Sequence, residues 1–160
     1  VNIYRRKEIE NFLLVPSAID RAASRKIADQ AKRGGKDIAY HSDAAELLDA
    51  FAVQKKTYVT AQYLANRKRF ERTNAPNLHE ATISEAALVE FDGCWRDAAS
   101  RLEVIPGKEA IAVFNQHLQE KYGISITHTS ILDAMRNDEI AQEMKGLIID
   151  LDKFSLLSAR

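Results

Sequence analysis

A mainly α-helical domain is what this sequence predicts, on two observations. Apolar residues recur at three- and four-residue spacing along most of the chain, and the breaks in that pattern fall at Pro, Gly and Asn, the residues that stop helices. The one alternating stretch, Ile124-Ser125-Ile126-Thr127, is too short to argue for a sheet and reads as an extended link.

The elements follow in order. Residues 5–14 place Ile9, Phe12 and Leu13 on one stripe and predict a short helix. Pro16 ends that helix and suits the first turn of the next, whose apolar face of Ile19, Ala22, Ala23, Ile27 and Ala31 stops at Gly34 and Gly35. Ser42 stands where an N-cap is needed, with Asp43 and Glu46 in a first turn that favours anions. The helix it opens is the longest, carrying Ala44, Leu47, Leu48, Phe51, Ala52, Tyr58, Val59, Gln62, Tyr63 and Phe70 at helical spacing to about Arg72, its end marked by the cluster Arg67, Lys68, Arg69 and Arg72. The stretch TNAPNL, residues 73–78, predicts a hinge between region 1–72 and region 79–160. Ser84 is then expected to cap one helix in which Ala87, Leu88, Phe91, Trp95, Ala98, Ala99 and Leu102 form a core stripe, slightly weakened by Gly93. Ile105-Pro106-Gly107 interrupt the chain, and Lys108 opens a helix through Ile111, Phe114, Leu118 and Tyr122 that Gly123 closes. Two last helices are expected over 130–136 and 138–154.

Composition bounds the function. A length of 160 residues with 46% hydrophobic and 29% charged residues matches a soluble globular domain or a closely packed pair, and excludes wholesale disorder. The lone Cys94, in a core-like stripe beside Trp95, excludes an internal disulfide framework and reads as a small buried hydrophobe. With no long apolar run and no signal-peptide pattern, a cytoplasmic protein without membrane contact is expected. The chain starts with Val inside helix-forming sequence, which suggests a piece of a longer protein.

Net charge is zero, yet unevenly placed. Residues 1–72 hold 15 Lys/Arg against 9 Asp/Glu, and residues 73–160 hold 8 against 14, a basic half joined to an acidic half. Such asymmetry points to phosphate backbones as partners, or to head-to-tail pairing of copies into a homodimer, against the plainer possibility that the charges solvate helices.

Motifs are mostly absent. There is no P-loop, GxGxxG, GxSxG or HExxH, and His41, His79, His117 and His128 show no i, i+4 pair for a metal. Two places carry more. Glu8 and Glu10 follow Arg5, Arg6 and Lys7, a setting in which a carboxylate can hold Mg²⁺ beside a phosphate; two apart on a helix, however, they point to different faces. Lys108 follows Pro106-Gly107 at a helix start, where amides and dipole favour an anion.

The opening IYRRKEIENFLL, with Pro16 and Ile19 after it, resembles the latter part of the Toprim nuclease domain in overcoming-lysogenisation-defect (OLD) family proteins and related AAA/ABC-type ATPases. The stretch LEVIPGKEAIAVFNQHLQEKYGISITHTSILDAMRNDEI, residues 102–140, is similar to the C-terminal part of the same proteins. The resemblance implies the helical C-terminal region of an ATP-dependent, Mg²⁺- or Mn²⁺-dependent DNA endonuclease, often antiphage, in which these helices complete a Toprim-type α/β domain. It implies Glu10 as a metal ligand or its neighbour and Lys108 as the late lysine of the nuclease site. Arg5, Arg6, Arg67, Lys68 and Arg69 would then engage DNA phosphates without reading sequence. The Walker elements, the first Toprim glutamate and its Asp-x-Asp strand are absent, so ATP would bind an upstream region, and the isolated chain is expected to cut nothing. The rival expectation is a non-catalytic helical module that binds nucleic acid or a protein.

Overall fold

The computed structural model describes residues 6–34 and 38–158, the last five by backbone alone. Their architecture is all-helical: a 3-10 turn, Ile9–Leu13, precedes α1 (Pro16–Lys32), α2 (Ala44–Asn74), α3 (Glu80–Cys94), α4 (Ala98–Val104), α5 (Gly107–Tyr122), α6 (His128–Ala134) and α7 (Gln142–Ser158). No strand occurs among the described residues.

The spine is α2. Its lower half buries Ala44, Leu48, Phe51, Ala52 and Val59, and it packs against α1, α3, α4 and α5. Thirty-one residues at 1.5 Å each make a rod of roughly 46 Å, and none of its residues past Val59 is fully buried. The upper half therefore rises out of the core with α3 beside it. An aromatic ladder holds the base of this hairpin: Phe91 stacks on Trp95 at 5.1 Å and meets Tyr63 at 5.7 Å. The 73–78 stretch forms the tip, and one buried cluster draws on residues from both sides of it, from Leu13 to Ala134.

The start of α2 corrects the expected cap. Asp43, not Ser42, is the N-cap, and the helix opens at Ala44. The Ser42 hydroxyl instead donates to Asp20 on α1, whose carboxylate also accepts from the Tyr40 hydroxyl at 2.5 Å and from the Ala44 amide at 3.2 Å. A residue on α1 thus caps α2, a tertiary arrangement that local spacing does not encode.

Four more boundaries differ. His79, rather than Ser84, caps α3 by accepting from the Ala81 amide at 3.3 Å; Ser84 lies inside the helix, donating back to the Glu80 carbonyl at 2.8 Å. The single helix expected through Leu102 is two, because Asp97 accepts from the Ser100 amide at 2.9 Å and restarts the helix at Ala98. Leu88, Ala98 and Ala99 are accordingly exposed, whereas Ala87, Phe91, Trp95 and Leu102 are buried. Near the C-terminus, Thr127 caps α6 reciprocally with Ser130, so that helix starts at His128 rather than 130, and α7 begins at Gln142 rather than 138.

The α5 expectation holds in detail. Ile111, Phe114, Leu118 and Tyr122 are buried, and Gly123 closes the helix at φ 68°, a left-handed conformation natural to glycine. Helix α7 is tied to the N-terminal segment by Arg6–Glu143 at 2.6 Å and leaves Ile148, Ile149 and Leu151 exposed. No described helix is long and apolar enough to cross a membrane.

Candidate functional site

The EIEN and PGK segments meet. Glu8 is extended (φ −136°, ψ 159°), so the helix expected over 5–14 shrinks to a 3-10 turn with Glu8 at its entry. Being outside the helix, Glu8 is free of the different-faces restriction expected for Glu8 and Glu10. Both carboxylates address one residue: the Lys108 amide donates to Glu8 Oε2 at 3.1 Å, and Lys108 Nζ lies 3.7 Å from Glu10 Oε1.

Asn11 holds this junction from beneath. Only 4% exposed, it donates from Nδ2 to the Leu102 carbonyl at 2.7 Å and the Ile105 carbonyl at 3.0 Å, and its Oδ1 accepts from the Glu8 amide at 2.8 Å. One side chain therefore satisfies the last carbonyls of α4 and the entry of the 3-10 turn. Gly107 is required by the closeness of the two segments, since a Cβ there would stand 3.0 Å from both the Asn11 nitrogen and Glu10 Cβ.

The pair is asymmetric. The Glu10 side chain is 9% exposed and the Lys108 side chain 76%, so a recessed carboxylate lies beside an outward ammonium at the start of a 16-residue helix. The Lys108 ammonium faces solvent, where an anion can reach it, while the amide of the same residue is already taken by Glu8. The geometry does not by itself suit Mg²⁺ or Mn²⁺. Glu8 is occupied with the α5 amide, Glu10 faces an ammonium, and among the described residues no three His, Cys, Asp or Glu side chains gather to hold an ion.

The other candidate residues scatter. Arg5 lies outside the described residues. Arg6 turns inward: its guanidinium pairs with Glu103 at 3.3 Å and Glu143 at 2.6 Å, and lies 4.7 Å over the Phe12 ring. Arg67 pairs with Glu71 at 3.1 Å and Glu90 at 3.2 Å, and Lys68 approaches Glu80 at 3.8 Å. Arg69 is exposed.

Lys7, from the basic run before Glu8, and Tyr58, expected on the apolar stripe of α2 but half-exposed, meet Lys55, which no motif marks. Both ammoniums lie over the half-exposed Tyr58 ring, at 5.6 and 5.8 Å from its centre. Lys55 also pairs with Glu109 at 2.6 Å, next to Lys108. The available signal was α2 itself, whose stretch 50–74 holds six Lys/Arg against the single acid Glu71.

A cavity of about 380 Å³ lies elsewhere, walled by Phe12, Pro16, Leu102, Asp49, Glu103 and Glu139 among others. Its charges are internally matched: Asp49 accepts from Arg101 at 2.6 and 2.9 Å, and Glu139 accepts from Ser17 at 2.6 Å, the Arg136 amide at 2.8 Å and Arg21. Partial burial pushes the Glu139 carboxyl up, but these donors outweigh it and hold it at about 2.

Comparison with protein-family models, with curated proteins and with solved structures finds no match for this chain.

Proposed function

We propose that this chain is the helical C-terminal region of an OLD-like, ATP- and metal-dependent DNA endonuclease, inactive as an isolated fragment. What supports this is the approach of Glu10 and Lys108 to 3.7 Å, since these are the two residues that the resemblance marks as nuclease-site contributors. In this reading the exposed Lys108 ammonium meets a DNA phosphate and offsets charge developing on it, while the recessed Glu10 fixes where the ammonium stands. The catalytic metal is held by upstream carboxylates, and ATP by an upstream domain. Antiphage defence is the setting the resemblance implies.

The test is nicking of supercoiled plasmid by the full-length protein that carries this region, in Mg²⁺ or Mn²⁺. Loss of one charge-stabilising donor costs on the order of a hundredfold in rate. Lys108→Ala is expected to lose about that much, and Glu10→Gln a comparable amount, with cooperative unfolding preserved in both. Unchanged cutting by both variants would leave the pair a purely structural contact.

A second reading, a non-catalytic helical module that binds nucleic acid, is favoured by the basic stretch 50–74 of α2.

A further inference from the structure

Helix α2 carries a continuous acid-free face. Lys55, Tyr58, Gln62, Asn66, Arg69 and Thr73 recur at three- and four-residue spacing, which sets them one above another along about 27 Å of helix. The three acids of α2 lie on other faces: Glu46 is in the first turn, nine residues before Lys55 and on the opposite side of the helix, Asp49 turns to Arg101 on α4, and Glu71 pairs with Arg67. At the foot of the stripe the groups are tied together, Lys7 Nζ donating to Gln62 Oε1 and Gln62 Nε2 to the Tyr58 hydroxyl, each at 2.5 Å. Two acids do stand at this foot, Glu109 against Lys55 and Glu10 against Lys108. Above Gln62, Asn66, Arg69 and Thr73 are all exposed, and Arg69 makes no ion pair among the described residues.

We propose that this stripe binds single-stranded nucleic acid, with Lys55, Lys7 and Arg69 following the phosphates and the Tyr58 ring stacking on a base. Cations that track a backbone beside an exposed aromatic are the two parts of a sequence-tolerant single-strand site. Tyr58 is 48% exposed, its hydroxyl is held by Gln62 and both ammoniums lie within 5.8 Å of its ring centre, so the ring is held in place while about half of its surface stays open for stacking. Gln62, Asn66 and Thr73 add neutral hydrogen-bonding groups and no repulsion. The inference rests on the second reading above, that α2 binds nucleic acid, and narrows it to a single strand, so preference for duplex overturns the inference and leaves that reading standing; the nuclease reading, which concerns cleavage, fails separately.

The test is fluorescence polarisation of this chain with a labelled mixed-sequence 20-mer, single-stranded and as duplex, between 50 and 200 mM salt. Single strand is expected to bind more tightly than duplex and to weaken with salt. Lys55→Ala and Arg69→Ala should each reduce the slope of log affinity against log salt by about 0.7, one phosphate contact apiece. Tyr58→Ala should weaken binding about tenfold, the worth of one stacked base, and Tyr58→Phe should restore it. Lys153→Ala, on α7 beside Asp150, should change affinity less than twofold. Circular dichroism verifies that each variant stays helical. The proposal is overturned by equal affinity of all stripe variants and wild type, by preference for duplex, or by binding of labelled polyglutamate in place of either nucleic acid, the last marking an acidic protein partner.

Discussion

The backbone amide of Lys108 donates to the carboxylate of Glu8 at 3.1 Å across 100 residues of chain. A side chain from the first turn thus caps a helix in the second half of the protein, the task normally done by a residue immediately before the helix. Pro106, which occupies that place at α5, has no side-chain acceptor. Glu8 replaces it from a distance and adds a negative charge at the positive end of the α5 dipole.

Glu8→Ala should therefore destabilise the fold by about 1 kcal/mol, the usual cost of a lost N-cap. Glu8→Gln keeps an acceptor and loses only the charge, so about half that cost is expected. Urea unfolding followed by helical ellipticity measures both. Equal stability of Glu8→Ala and wild type would show that water replaces the carboxylate without penalty.

Asn11 has more at stake. Replacing it by Ala leaves two buried carbonyls and one amide without their partner, for which about 3 kcal/mol is expected. Gly107→Ala presses a methyl group onto the Asn11 backbone and should cost about 2 kcal/mol through displacement of the same turn. Because both changes disturb one junction, the double variant should lose less than the sum of the two, and a thermodynamic cycle on urea midpoints reads that coupling.

Glu139 gives the fold a defined acid response. Its carboxyl sits at about 2 in the folded protein against an ordinary value of 4.5, a depressed value. Its contribution is therefore complete above about 4.5 and disappears as pH falls toward 2. Glu139→Gln should cost about 2 kcal/mol at pH 7 and progressively less below pH 4. Parallel thermal melts from pH 7 down to pH 2.5 make the comparison, and a pH-independent difference would rule out this origin.

Tyr40 responds at the other end of the scale. Burial, followed by its hydrogen bond to Asp20, raises its phenol well above the usual value of 10.0. The group is neutral in the fold where the unfolded chain would already ionise it, so its contribution holds below pH 10 and declines as pH climbs further. Absorbance at 295 nm should show Tyr40 silent at pH 11 in the native protein and titrating once urea is added. Tyr40→Phe should abolish that difference and cost about 1 kcal/mol.

The helical class was legible because burial repeats with the helical period, and α5 shows it best: its apolar stripe and its closing Gly123 are both local signals. The caps were not legible where they come from another element. Asp20 reaches Ala44 from α1, and Glu8 reaches Lys108 from the first turn, so neighbouring residues carry no trace of either. The break after Cys94 was hidden for a different reason. Asp97 caps α4 without disturbing the apolar spacing, and the stripe reads as continuous through a real interruption. At the candidate site, local sequence singled out Glu10 and Lys108 and the resemblance gave them roles, while Arg6 and Arg67, expected on DNA phosphates, turn their guanidiniums to acids within the fold. Counting charges along the chain does not show which cations are matched by acids brought from far away, and only the packing of α3, α4 and α7 supplies that.

The junction of Glu8 and Asn11 with the α4–α5 corner also bears on how the protein is made. Its hydrogen bonds span 91, 94 and 100 residues, whereas α2 and α3 are neighbours that pair across a short turn. At a synthesis rate of roughly 5–20 residues per second, the first turn waits about 5–20 seconds for its partners to be translated. The hairpin is complete in sequence once Cys94 has been added, while Asn11 still lacks the carbonyls of Leu102 and Ile105 and faces water. Chains halted at Trp95 on a linker that clears the ribosome should therefore be cut by protease near the N-terminus while the α2–α3 segment resists, and the N-terminal cutting should stop once α4 and α5 have been released.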